Sequence, residues 1–146
     1  DLVLLDAFSP QRCPQLWSEE FLGALARLLA PQGRLLTYCS AAAVRRSLEQ
    51  AGLQLAAIEG GTDRPAWSAG TVASPSALPL ASPLRQLSVM EREHIACRAG
   101  EPYRDPDGRG SVERLLADRA ERQSRSSAEP ASHWQRRWGA SRRHLA

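Results

Sequence analysis

Leu2-Val3-Leu4-Leu5-Asp6-Ala7-Phe8-Ser9-Pro10 opens the chain and decides how the rest of the fold is read. A short apolar run closed by an acidic residue and a turn is the pattern of a buried parallel strand ending at a crevice. In doubly wound sheets, ligands bind beyond the carboxyl ends of the strands, so Asp6 and Phe8 are placed at the mouth of a site. A carboxylate there can hold the hydrogens of an amine nucleophile and take its proton. It can also do no more than cap the following turn through backbone amides. Phe8 offers a face for a planar base or a cationic centre. A buried parallel strand needs neighbours on both sides, and this one begins at residue 1. The chain is therefore expected to be the C-terminal part of a larger enzyme.

Downstream, the pattern alternates. Ser18 reads as a helix N-cap, with Glu19 and Glu20 in the first turn where the helix dipole favours them. Trp17 and Leu22 are spaced as a hydrophobic staple, and Phe21, Leu22, Leu25, Leu28 and Leu29 recur at helical spacing. Pro31-Gln32-Gly33 stops that helix, and Leu35 to Tyr38 reads as the next strand. Residues 41–51 form a second helix, with Val44 and Leu48 on its apolar face, Arg45 and Arg46 pointing elsewhere, and Gly52 ending it. Leu53 to Ile58 and Ala69 to Ala73 read as two further strands. Strand-helix-strand-helix-strand with short links predicts α/β architecture, the C-terminal half of a doubly wound Rossmann-like sheet. The last two strands lack a helix between them, which predicts a terminal antiparallel pair.

From Ser74 the texture changes. Residues 74–87 are rich in Ser and Pro and read as a linker, and residues 88–146 as an Arg-rich helical and irregular extension. Ser88 and Glu91 have the spacing of a capping box, Val112 to Gln123 reads as a helix, and Ser124 onward as a polar, mobile tail apart from residues 133–138. Residues 85–146 carry 13 Arg against 9 acidic residues, a net of +4, whereas residues 1–84 carry 6 against 7. Phosphates attract Arg and aromatics stack on unpaired bases. The alternation of Arg98, Tyr103, Arg104, Trp134, Arg136, Arg137, Trp138, Arg142 and Arg143 therefore suits a tail that faces RNA. Cys13, Cys39 and Cys97 are odd in number and far apart. That argues against a disulfide framework and a zinc site and for a reducing cytoplasm. His94, His133 and His144 have no Cys at metal spacing, so no metal is expected, and no run approaches membrane-spanning length.

At Asp6-Ala7-Phe8-Ser9-Pro10, followed after two residues by Cys13-Pro14 and then Leu16-Trp17, the sequence resembles a known family. It is similar to the S-adenosylmethionine-dependent tRNA 5-aminomethyl-2-thiouridine methyltransferases. Further pieces match in order: Ala26 to Gly33, the strand Arg34 to Tyr38, Ser40 to Leu48, and Ala51-Gly52, so the likeness spans residues 1–73. The resemblance implies transfer of a methyl group from S-adenosylmethionine to the amine of a 5-aminomethyluridine at the tRNA wobble position. It implies Asp6 beside the substrate amine, Phe8 and Pro10 shaping that pocket, and the turn bearing Ser40 as another wall. No GxG turn follows a strand here, so the cofactor-binding residues are expected upstream of Asp1. Between the last two strands the family's Gly-Phe-Gly and Lys-Arg pattern is reduced to Gly60-Gly61-Thr62-Asp63-Arg64-Pro65, leaving Arg64 either to meet phosphate or to stand solvated. The implied partners are tRNA, the small-molecule methyl donor, and a flavin-dependent oxidoreductase acting earlier on the same tRNA as a separate chain. The alternative is a non-catalytic RNA- or protein-binding module built on the same fold.

Overall fold

The structure is a computed structural model and describes residues 1–60 and 68–139. Five strands form one mixed sheet: β1 (Leu2–Leu4), β2 (Arg34–Thr37), β3 (Gln54–Glu59), β4 (Ser68–Ser74) and β5 (Leu84–Arg85), in the order β1-β2-β4-β3-β5. β1 pairs parallel to β2, while β4 runs antiparallel to both β2 and β3, so β1, β2 and β3 share one direction. The expected antiparallel pair is present, but its second strand lies inside the sheet, and β5 adds an outer antiparallel strand from within residues 74–87. Small side chains suit β4 to this interior place: Gly70 through Ser74 are all buried. A Cβ at Gly70 would lie 2.3 Å from the Thr37 carbonyl oxygen, so glycine allows β2 and β4 to approach here.

Two helices cover the sheet where the apolar periodicity places them: α1 (Glu19–Leu28) and α2 (Ala42–Gln50). Ser18 caps α1 by accepting from the Phe21 amide, and Glu19 and Glu20 occupy its first turn. Trp17 and Leu22, the two ends of the expected staple, are both fully buried in one cluster with Ala26, Leu35, Val44, Leu48 and Ala73. Gly52 closes α2 at φ +85°, a left-handed conformation that side chains resist. Full burial of a Leu such as Leu48 is worth about 2 kcal/mol, so α2 is held mainly by its apolar face.

The C-terminal extension folds back onto this layer. α3 (Val89–Ala96) starts with the expected capping box, in which Ser88 Oγ accepts from the Glu91 amide and the Glu91 carboxylate accepts from the Ser88 amide. α4 (Val112–Arg125) and α5 (Ala131–Trp138) follow, and α5 takes in residues 133–138, the segment set apart from the polar tail expected beyond Ser124. Its anchors are single large side chains. Trp134 is fully buried with Met90 and Cys97, and its indole nitrogen donates to the Met90 carbonyl at 3.1 Å. Tyr103 is buried in the main core, its carbonyl accepts from the Glu19 amide, and Glu20 accepts from the Asp105 amide. Among the described residues, no helix is long and apolar enough to cross a membrane.

Candidate functional site

Parallel pairing of β1 and β2 brings their carboxyl ends side by side, so the turn after β1 faces the turn after β2. Between them lies an open cleft of about 610 Å³ lined by Asp6 to Ser9 together with Arg12, Leu16 and Tyr38. Two hydrogen bonds fix its walls. The Tyr38 hydroxyl donates to the Ala7 carbonyl at 2.7 Å, and the Trp17 indole donates to the Phe8 carbonyl at 2.7 Å. The Trp17 and Tyr38 rings meet edge to face with centroids 6.3 Å apart, so the two anchors also brace each other. Both bonds occupy backbone carbonyls of the Asp6–Pro10 segment. They hold the loop while leaving the Asp6 carboxylate exposed to the cleft.

Phe8 is 72% exposed, unusual for a phenylalanine, and the Arg12 guanidinium carbon stands 5.5 Å from its ring centroid. The cleft thus presents an acceptor-only carboxylate, an aromatic face and a cation within one small volume. Burial raises the pKa of the Tyr38 phenol, and its neighbours Cys39 and Asp6 push in the same direction. Tyr38 therefore stays a neutral donor to Ala7. Of the residues expected here from the sequence, Asp6 and Phe8 line the cleft, Pro10 is buried, and Ser40 is half-buried in the turn after β2. Arg64 lies outside the described residues, as do Arg142 and Arg143. Arg12 escaped the sequence reading: it sits in a turn with no periodicity, and only the fold brings it over Phe8.

The basic and aromatic residues of the extension have mostly structural partners. Arg119 donates to the Glu101 and Ala99 carbonyls at 2.6 and 2.8 Å and lies 4.5 Å from the Tyr103 ring centroid. Arg122 donates to the Pro102 carbonyl at 2.7 Å and pairs with Glu101 at 2.8 Å. Arg98 donates to the Ala128 carbonyl, Arg104 pairs with Glu19, and Arg137 pairs with both Glu93 and Glu129. Residues 98–102 lie outside the sheet, and the forked Arg side chains supply donors to their carbonyls.

A seat for S-adenosylmethionine has definite needs. The amino-acid tail of the molecule needs a turn free of side chains, and its ribose hydroxyls need an acidic partner. The turns after β1 and β2 read Asp6-Ala7-Phe8-Ser9 and Tyr38-Cys39-Ser40-Ala41, with no glycine in either. These two turns do not by themselves provide that seat. No three His, Cys, Asp or Glu side chains among the described residues are grouped to hold a metal ion.

Residues 1–71 match the family described as S-adenosyl-L-methionine-dependent methyltransferase. The chain is 34% identical over 117 residues to the tRNA 5-methylaminomethyl-2-thiouridine biosynthesis bifunctional protein MnmC of Paraburkholderia phymatum, covering 80% of this chain and 17% of that protein. It superposes on the crystal structure of MnmC2 from Aquifex aeolicus with a TM-score of 0.73 at 28% identity, covering 86% of this chain and 39% of that one. The chain thus spans well under half the length of either relative. In sequence and in fold the chain is thus related, through residues 1–71, to the S-adenosyl-L-methionine-dependent methyltransferases, and among them it is similar to the MnmC-type proteins.

Proposed function

We propose that the cleft is the acceptor side of a tRNA-modifying methyltransferase, and that the acceptor is the amine of a 5-aminomethyl(-2-thio)uridine at the wobble position. The observation that carries this reading is the exposed Asp6 carboxylate beside the exposed Phe8 ring, on a loop held by Tyr38 and Trp17. An alkylammonium cannot act as a nucleophile until it loses a proton. Asp6 would accept a hydrogen bond from the amine, orient its lone pair away from the carboxylate, and receive the proton released as the new N–C bond forms. Phe8 would pack on the uracil ring, and Arg12 would stand over the outer edge of that stack. S-adenosylmethionine is the methyl donor that this relationship implies. The chemistry also needs an earlier step that bares the amine, the kind of step a separate flavin-dependent oxidoreductase performs.

The test is transfer of labelled methyl from S-adenosylmethionine, using the full-length protein and tRNA bearing 5-aminomethyluridine at the wobble position. Label in that nucleoside supports the reading. Label elsewhere in the tRNA would overturn the wobble amine as the acceptor, and no label while the tRNA still binds favours a non-catalytic binding module on the same fold.

A further inference from the structure

Arg45, which the helical periodicity places off the apolar face of α2, is only 2% exposed. All three of its guanidinium nitrogens donate. Nη1 donates to Glu91 Oε1 at 3.0 Å, Nε to Thr71 Oγ1 at 2.9 Å, and Nη2 to Ser68 Oγ at 2.7 Å and to the Gly70 carbonyl at 3.2 Å. Glu91, on α3, also receives Arg85 at 2.7 Å and the Ser88 amide at 2.8 Å. The Thr71 hydroxyl in turn donates to the Cys39 carbonyl at 2.8 Å. Cys39 follows Tyr38, whose hydroxyl holds the Asp6 loop through Ala7.

The chemistry of the donors gives this chain of bonds a direction. Arginine only donates, so Thr71 Oγ1 must accept from it, and the single Thr71 proton is left to point at the Cys39 carbonyl. Remove the guanidinium and that hydroxyl is free to rotate. We propose that Glu91 and Arg45 are positioning residues through which the C-terminal extension sets the turn after β2, and with it the Tyr38 wall of the cleft. The path runs Glu91, Arg45, Thr71, Cys39 carbonyl, Tyr38, Ala7, crossing from α3 through α2 and β4 to the β1 and β2 turns. Its bearing on catalysis rests on the reading of the cleft given above, but the relay is a property of the fold and can be tested without substrate.

Two buried thiols provide the probes. Cys39 lies on the relay, and Cys97 lies off it, in the cluster with Met90 and Trp134. The rate of iodoacetamide labelling at each is followed by peptide mass spectrometry in the native full-length protein. Thr71→Val keeps the shape but removes the hydroxyl, and is expected to speed Cys39 labelling about ten-fold, the loss of one buried hydrogen bond, with Cys97 unchanged. Glu91→Gln is expected to move Cys39 in the same direction, while Thr71→Ser, which retains the hydroxyl, restores the wild-type rate. An unchanged Cys39 rate in Thr71→Val or Glu91→Gln overturns the relay, as does a joint rise of Cys39 and Cys97, which marks general loosening. With wobble tRNA as substrate, Thr71→Val should lower kcat more than it raises KM. Inactive wild-type protein with the labelling pattern intact would overturn the function and leave the relay standing.

Discussion

Acidification should weaken the docking of the C-terminal helix through one side chain, His94. Its imidazole stacks on the Trp134 ring with centroids 4.0 Å apart and planes within 14°. Burial lowers its pKa from 6.5 to about 4; nearby Arg45 adds to the effect and Glu91 opposes it. Folded protein therefore keeps His94 neutral where unfolded protein has begun to protonate it. With more protons bound in the unfolded state, the His94 contribution to stability falls as pH drops from 6.5 towards 4 and changes no further below that window. A pKa carried from 6.5 to about 4 corresponds to a full loss of about 3 kcal/mol, of which about 2 kcal/mol should appear between pH 7 and pH 5. That is a large share of the roughly 5–15 kcal/mol by which a domain is stable. Glu91 is held at about 2: desolvation opposes ionisation, but the bonds from Arg85, Ser88 and Arg45 outweigh it. Its contribution is present above 4.5 and is lost between 4.5 and 2, so the two residues act in different windows. Urea denaturation across pH 7 to 5, followed by tryptophan fluorescence, measures the upper one. His94→Gln should flatten the dependence between pH 7 and pH 5. A wild-type stability that does not change over that interval, or a slope that survives in His94→Gln, would refute the reasoning.

Three further substitutions probe the packing. Glu91→Ala leaves the Arg45 guanidinium buried without its partner and should cost about 3–5 kcal/mol in urea denaturation, with Arg45→Met in the same chain recovering much of it. Trp134→Ala empties a fully buried site and should cost about 3–5 kcal/mol, read as a lower urea midpoint. Gly70→Ala forces a methyl to within 2.3 Å of the Thr37 carbonyl, so it should part β2 from β4 and sharply lower soluble yield and melting temperature.

Local signals in the sequence carry through to the structure, and contacts between distant segments do not. Ser18, the Ser88 and Glu91 box and Gly52 act on backbone within four residues of themselves, so their roles were legible. The α/β class was legible too, because strand and helix periodicities differ. The position of β4 between β2 and β3 was not, since strand order depends on which edges pair rather than on any one segment. The sequence placed Arg45 only off the apolar face of its helix, because its countercharge lies 46 residues away on a helix whose docking no periodicity reports. The extension looked loose for a related reason: its anchors Tyr103 and Trp134 stand in polar sequence and become core only against other segments. At the cleft, Asp6 and Phe8 were legible from the strand that delivers them, whereas Arg12 depends on a turn whose path only the fold supplies.

One comparison bears on the role of the cleft: single-turnover methyl transfer to wobble 5-aminomethyluridine by wild-type and Asp6→Asn protein, with donor affinity measured in parallel. If Asp6 holds and deprotonates the amine, the asparagine variant should transfer about 10²–10⁴-fold more slowly with donor affinity nearly intact. Wild-type turnover in Asp6→Asn would contradict the role given to this carboxylate.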